Sequence, residues 1–275
     1  MNARLCNDLD VENPWTGPML HEKVDFCKQV IVRAGDLVME GFGQARTMQM
    51  KGPQDYLTEF DGRCEALLRQ AVADAFPGDG FFGEEGGGAG NAPRLWVVDP
   101  IDGTANFARN IPHFCIAIAY VENGRAEFGA IYNPVLRELH FARRGEGATL
   151  NGRPIRVSAV ASAQAATVEL GWSSRIEKGD YLETMSGLLD LGLNVRRAGS
   201  GALGLAYVAD GRNEAYAERH MNSWDCVAGL LMVEEAGGRI CSFEGDEKIL
   251  RGGPVLASVP GLADSISRVV GIQLA

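Results

Sequence analysis

From Pro18 to about Gly41 apolar residues recur mostly at three- and four-residue steps: Leu20, Val24, Cys27, Val30, Ile31, Ala34, Leu37 and Val38. That spacing predicts an amphipathic helix, ended by Gly41 and Gly43. Residues 1–15, polar and acidic, are expected to be peripheral or poorly ordered. The stretch Lys51-Gly52-Pro53-Gln54-Asp55 holds a Gly-Pro turn and predicts a short hairpin or loop. Asp61 then opens a second helix through Cys64, Leu67, Leu68, Ala71, Val72 and Ala75, stopped by Pro77-Gly78. Phe81-Phe82-Gly83 leads into the acidic pair Glu84-Glu85, and Gly86, Gly87, Gly88 and Gly90 imply a mobile or tightly turned chain. Leu95 to Val98 reads as a buried strand.

From Cys115 onward the punctuation changes. Cys115 to Val121 is a strand, Asn123-Gly124 a hairpin turn, and Ala126 to Tyr132 the returning strand. Asn133-Pro134 and Asn151-Gly152 add turns around a further strand from Glu138 to Ala142, so residues 115–158 form an antiparallel meander and no parallel nucleotide-binding sheet. Strands and helices then alternate: strands at Ala166 to Trp172, Asn194 to Ala198 and Glu214 to Glu218, helices at about Asp180 to Leu191, after Gly199-Ser200-Gly201-Ala202, and from Cys226 to Ala236. Strands at Arg239 to Phe243 and Val255 to Val259 and a helix from Leu262 complete the pattern. The class is α/β (α+β). With no repeat or linker visible, residues 1–275 read as a single domain, an antiparallel half over about 18–158 and an alternating half over about 160–275.

Composition narrows the function. Lys and Arg number 26 against 36 Asp and Glu, a net charge of −10 that argues against a nucleic-acid partner, which needs a basic face. Six scattered cysteines (Cys6, Cys27, Cys64, Cys115, Cys226 and Cys241) make no C-x-x-C pair and read as reduced thiols of a cytoplasmic protein. No apolar run is long enough for a membrane span, and no secretion signal is indicated. The four histidines, His21, His113, His140 and His220, have no metal-ligand spacing and are expected to be surface or structural, with His220 a possible substrate contact.

The chemistry centres on Trp96-Val97-Val98-Asp99-Pro100-Ile101-Asp102-Gly103-Thr104-Ala105-Asn106-Phe107. A buried strand that ends in two carboxylates is costly, because like charges repel and both lose water. A hard divalent cation, Mg²⁺ or Mn²⁺, removes that conflict. Helix-capping aspartates are the other reading of this stretch taken alone. Asp61, Glu84 and Asp225 also stand at helix starts or strand ends, where side chains converge on a crevice. Five such carboxylates and a phosphate monoester of about −2 call for two or three divalent cations. Ser223 is expected to cap the helix that carries Asp225.

The chain resembles the inositol monophosphatase family of Mg²⁺-dependent, lithium-sensitive phosphatases, over roughly Pro18 to the C-terminus. The resemblance lies in Gly83-Glu84-Glu85, Asp99-Pro100-Ile101-Asp102-Gly103-Thr104, Gly145-Glu146-Gly147-Ala148-Thr149-Leu150-Asn151-Gly152, and Trp224-Asp225 followed by Glu234-Glu235-Ala236-Gly237-Gly238. It implies a layered α-β-α-β-α sandwich of the inositol monophosphatase and fructose-1,6-bisphosphatase type, and a homodimer. It implies two or three Mg²⁺ held by Glu84, Asp99, the carbonyl of Ile101, Asp102 and Asp225. Asp61 and Thr104 would position or activate the attacking water, and Lys51 would approach the phosphate or a third metal. Gly103 and Thr104 N–H groups would hold phosphate oxygens, Gly199-Ser200-Gly201 would line the pocket, and Glu218 would accept hydrogen bonds from substrate hydroxyls.

The implied reaction is hydrolysis of a small phosphate monoester, with inositol 1-phosphate first. Histidinol phosphate, fructose 1,6-bisphosphate and nucleotide 3′-phosphates are substrates of relatives. The chain departs from the family at Ala105, where a second Thr is common, and at Tyr56-Leu57, where Leu-Val is usual. Arg219-His220-Met221-Asn222 occupies the substrate-selecting stretch. Aspartyl-phosphate phosphatases, whose Asp-x-Asp-Gly-Thr resembles Asp102-Gly103-Thr104, need acids two apart; here they stand three apart around Pro100. A purely regulatory role on this fold is disfavoured because every metal acid and Thr104 are retained.

Overall fold

The computed structural model describes residues 18–44, 49–52, 55–88 and 90–275. The expectation for residues 1–15, the turn at Pro53 and the side chain of Lys51 lie outside the described residues. The elements run α1 (Pro18–Gly41), β1 (Gln49–Gly52), β2 (Asp55–Leu57), α2 (Glu59–Ala75), β3 (Gly80–Gly83), β4 (Gly87–Gly88), β5 (Arg94–Asp102), α3 (Thr104–Ala108), β6 (Cys115–Glu122), β7 (Arg125–Asn133), β8 (Glu138–Arg143), β9 (Gly147–Leu150) and β10 (Arg153–Pro154). They continue with β11 (Thr167–Leu170), α4 (Lys178–Asp190), β12 (Asn194–Arg196), α5 (Gly201–Ala209), β13 (Ala215–Met221), α6 (Ser223–Glu235), β14 (Arg239–Ile240), α7 (Asp246–Arg251), β15 (Gly253–Ser258) and α8 (Ala263–Val270).

Among the described residues, β1 and β2 pair as a hairpin, and the other strands form two sheets. The larger has the order β10-β9-β8-β7-β6-β5-β3-β4, antiparallel from β5 to β10, with β3 parallel to β5. The smaller has the order β12-β11-β13-β15-β14, its first three strands parallel and β15 antiparallel to both neighbours. Helices α1 and α2 cover one face of the larger sheet, α5 and α6 lie between the sheets, and α4 and α8 cover the far side of the smaller one. This is the layered α-β-α-β-α sandwich.

The period of two along β6 explains the layering. Ile116, Ile118 and Tyr120 pack with α1 and α2, whereas Cys115, Ala117, Ala119 and Val121 belong to the core shared with α5 and α6. The smaller residues face the central helices and let them come close. Helix α5 is buried all round, from Ala202 to Ala209, as a helix between two sheets must be. Gly129 on β7 sets the closest approach of α6: a Cβ there would stand 2.8 Å from the Ala228 Cα. That approach carries the start of α6, and Asp225 with it, to the end of β5.

The glycine-rich stretch is tightly turned. Gly87 and Gly88 have φ of 58° and 142° and fold back to pair with Gly83 and Phe82. One expectation needs correction, and one element was not expected. The strand expected from Arg239 to Phe243 ends at Ile240, and α7 lies in a segment to which the sequence pattern assigned no element. Only Ile249 of α7 is buried, so no apolar period betrayed it.

Two glycines give opposite expected outcomes. Gly129→Ala lowers stability in urea unfolding by about 1–3 kcal/mol, because a methyl group meets helix backbone. Gly62→Ala, on α2 with open space around it, raises stability by about 0.5–1 kcal/mol through helix propensity.

Candidate active site

Two residues three apart on a regular strand point to opposite faces. Asp99 and Asp102 do not, because β5 carries a bulge between them. Asp99 pairs with Ala117 and Asp102 with Cys115, so three steps on β5 match two on β6. Pro100, with no N–H for the ladder, sits in the bulge. The extra residue brings both carboxylates to one side. Asp225, in the first turn of α6, meets them: one oxygen from each of the three acids lies within 4.8 Å of the others.

Glu84 follows β3 and is half-buried, outside that trio, yet its charge acts on both Asp99 and Asp225. Asp61 stands apart on α2, in a capping box with Thr58. Its Oδ2 accepts from the Thr58 N–H at 2.8 Å and the Thr58 hydroxyl at 2.6 Å. The Thr104 Oγ1 lies 3.0 Å from Asp61 Oδ1 and 2.9 Å from the Ile101 carbonyl, and its single proton serves one of them at a time. Gly103 precedes α3 at φ 92°, where a Cβ would crowd the His113 and Gly199 carbonyls at 3.1 and 3.2 Å.

Asp102 is the most heavily solvated by protein. It accepts from the Ser200 hydroxyl, from Ala202 N–H at 2.8 Å and from Gly201 N–H at 3.2 Å. Asn222 occupies the cap position of α6 and gives its side-chain N–H to Asp225 at 3.4 Å. Ser223 is not the cap expected from the sequence. Its hydroxyl donates instead to the Ile249 carbonyl at 2.7 Å and ties α6 to α7, because the chain turns one residue earlier.

Burial pushes the carboxyls of Asp99 and Asp225 well above the ordinary carboxylate range; the charges of Glu84, Asp225 and Asp102 push Asp99 further, and those of Asp102, Glu84 and Glu218 push Asp225 further against a hydrogen bond from Asp99. Burial also raises Asp102 and Asp61, against the pull of their hydrogen bonds. Such a set is poorly suited to stand as bare anions. Its all-oxygen donors, on rigid strand and helix ends, fit a hard divalent cation.

Asp102 and Asp225 open onto a cleft of about 380 Å³. Gly199, Ser200, Gly201 and Glu218 line it together with Asp102 and Asp225. Burial raises Glu218 to about 7, against a 2.7 Å hydrogen bond from the Tyr216 hydroxyl and aided by the charge of Asp102. Lys51 lies on β1, with its side chain outside the described residues. Sequence reasoning missed Glu169, Arg197, Trp172 and Tyr216, which also line the cleft. Glu169 had left a signal, a lone acid in the apolar run Ala166 to Trp172.

A family model described as "Inositol monophosphatase family" matches residues 20–270. The chain belongs to the inositol monophosphatase family. It is 40% identical over 216 residues to the Nus factor SuhB of Xylella fastidiosa, covering 77% of this chain and 78% of that protein. It is 37% identical over 249 residues to the inositol-1-monophosphatase of Rhizobium meliloti, covering 88% and 93%. The crystal structure of extragenic suppressor protein suhB from Bartonella henselae superposes with a TM-score of 0.84 at 31% identity, covering 90% of this chain and 98% of that one. As a member of this family the chain is an enzyme, a Mg²⁺-dependent phosphoric monoester hydrolase. Among the described residues no helix is long and apolar enough to cross a membrane.

The raised carboxyls set the pH dependence of the metal-free protein. Native Asp99, Asp225, Glu218 and Glu169 hold protons to higher pH than the unfolded chain does, so between about pH 4 and 7 the native state binds more protons. Stability is greatest below the unfolded values and falls as pH rises through the native ones. Glu169 alone, raised from 4.5 to about 6, contributes on the order of 2 kcal/mol to that fall. Thermal unfolding of chelator-treated protein is therefore expected at higher temperature at pH 5.5 than at pH 7.5. Mg²⁺ offsets part of the loss at pH 7.5, by about 2.7 kcal/mol at a hundredfold excess over its Kd. A metal-free Tm that climbs with pH would contradict the carboxyl assignment.

Proposed function

We propose that this hydrolase converts myo-inositol 1-phosphate to inositol and phosphate, is inhibited by Li⁺, and works as a homodimer. The observation that carries the reading is the convergence of Asp99, Asp102 and Asp225 beside the Thr104 hydroxyl and a polar cleft. Asp99, Asp102, Asp225, Glu84 and the Ile101 carbonyl would hold two or three Mg²⁺, with Mn²⁺ as a substitute. Bound, these ions would cancel the buried negative charge, polarise the phosphate and lower the pKa of water.

The chain's own residues do the rest. Thr58 occupies one oxygen of Asp61 and leaves Oδ1 to Thr104. A water held by the Thr104 Oγ1 gives it a proton as the Thr104 proton passes to Asp61 Oδ1, a carboxylate that burial makes a stronger base. The water oxygen bonds to phosphorus in line as the bond to the inositol oxygen breaks; that oxygen takes a proton from solvent water in the open cleft, and Asp61 returns its own proton to solvent. Gly103 and Thr104 N–H groups hold phosphate oxygens, and Lys51 adds positive charge from β1. Glu218 accepts from inositol hydroxyls, held in place by Tyr216, while Gly199, Ser200 and Gly201 form the facing wall. The inositol-1-monophosphatase name of the Rhizobium meliloti relative supports this alcohol over the other monoesters.

Phosphate release is the test, from inositol 1-phosphate, histidinol phosphate, fructose 1,6-bisphosphate and adenosine 3′,5′-bisphosphate, with and without Mg²⁺ and Li⁺. Inositol 1-phosphate is expected to give the highest kcat/KM, only with Mg²⁺, and to be suppressed by Li⁺. Asp99→Asn and Asp225→Asn are each expected to cost on the order of 100-fold or more with the fold retained by circular dichroism. Full Mg²⁺-dependent turnover in either variant would overturn the metal assignment, and preference for another panel member would overturn the substrate.

A further inference from the structure

Asp102 is oriented from the far side of the cleft. Besides the Cys115 thiol on the neighbouring strand, at 3.6 Å, three donors, the Ser200 hydroxyl and the N–H groups of Gly201 and Ala202, come from a turn about a hundred residues away in sequence. That turn follows Arg197-Ala198-Gly199, which lies between β12 and α5 and belongs to neither. Gly199 has φ 81°. With no ladder or helix of its own, this link is held by side chains.

Both backbone polar groups of Ala198 are taken. Its N–H donates to Glu169 Oε1 at 3.2 Å. Its carbonyl accepts from Asn106 Nδ2 at 2.9 Å. The same Asn106 nitrogen donates at 2.7 Å to the His113 carbonyl, so both amide protons are committed and the direction of the amide is set. Asn106 therefore joins α3, the chain before β6 and the chain before α5. Glu169 is 2% exposed on β11, and its other oxygen is 3.5 Å from Asn213 Nδ2. A carboxylate buried that deeply is expensive, and the proposed hydrolysis gives it no part. The packing leaves the link no slack, because the space a Gly103 Cβ would fill is closed by the Gly199 carbonyl and the Ser200 Cβ, each 3.2 Å away.

We propose that Asn106 and Glu169 are positioning residues of the metal centre, gripping Ala198 from opposite sides so that the Ser200–Ala202 turn holds Asp102 in its ligating orientation. The inference rests on the reading of Asp102 as a metal ligand. Asn106→Asp keeps the shape and turns a double donor into an acceptor facing the carbonyls of His113, Ala198 and Gly199. Glu169→Leu removes the acceptor for Ala198 at similar volume, and Glu169→Gln restores one.

The experiment is Mg²⁺ titration of the full chain by calorimetry, with kcat and KM measured in parallel. Asn106→Asp and Glu169→Leu are expected to weaken Mg²⁺ binding by about 10–100-fold. They are expected to lower kcat at saturating substrate more than they raise KM. Glu169→Gln is expected to recover most of the affinity that Glu169→Leu loses. Asn106→Ala, which deletes the donors without adding repulsion, serves if Asn106→Asp does not fold and carries the same expectation. Variants with a lowered Tm but wild-type Mg²⁺ affinity and kcat would reduce both bonds to fold stability and overturn the proposal. Asp102→Asn tests the underlying reading separately: undiminished Mg²⁺ affinity in that variant removes Asp102 from the ligand set and overturns the proposal with it.

Discussion

Asp99 and Asp102 are held on one side of a single strand, with Asp225 pressed against them from a helix end, and the protein cannot relieve their repulsion by moving them apart. The bulge at Pro100 puts the first two together, and the close passage of α6 over Gly129 delivers the third. The central helices can pass so close because the strand faces beneath them include the small residues Cys115, Ala117, Ala119 and Gly129. The sandwich thus spends stability at its centre, and a cation that binds the native state returns it by mass action. Ligand binding and folding stability are one property at this site.

The acids are not treated alike. Asp102 and Asp61 are surrounded by donors from the protein: Ser200, Gly201 and Ala202 for one, Thr58 and Thr104 for the other. Those bonds oppose the effect of burial and fix the direction of each carboxylate. Asp99 and Asp225 are dominated by burial and by neighbouring charge. The division separates acids whose direction the protein fixes from acids left mainly to burial and mutual charge. It also explains the polar character of the cleft, where Glu218 and Tyr216 form a bonded pair facing the same space.

Much of this was legible because the signals are local. Continuous apolar runs marked β5 and β6, Asn123-Gly124 marked the hairpin between β6 and β7, and the three-residue spacing of Asp99 and Asp102 around Pro100 marked the chemistry. Short polar elements carried no such signal: α7 buries a single residue, so its helical period is silent. Ser223 looked like a cap because capping residues are read by type, whereas the partner it found, Ile249, is set by how α6 meets α7.

By itself the sequence determined the strand and helix succession, the antiparallel character of the β6–β10 region and the identity of the acids at strand ends and helix starts, because side-chain periodicity and turn chemistry act over a few residues. Only the tertiary structure decided which acids converge. It grouped Asp99, Asp102 and Asp225, set Glu84 beside them and Asp61 apart, and set Asn106 and Glu169 on either side of Ala198, a pairing that no spacing along the chain announces. Their partners lie up to about a hundred residues away, and such distances are closed by helices and sheets packing at van der Waals contact, for which the local pattern along the chain carries no code.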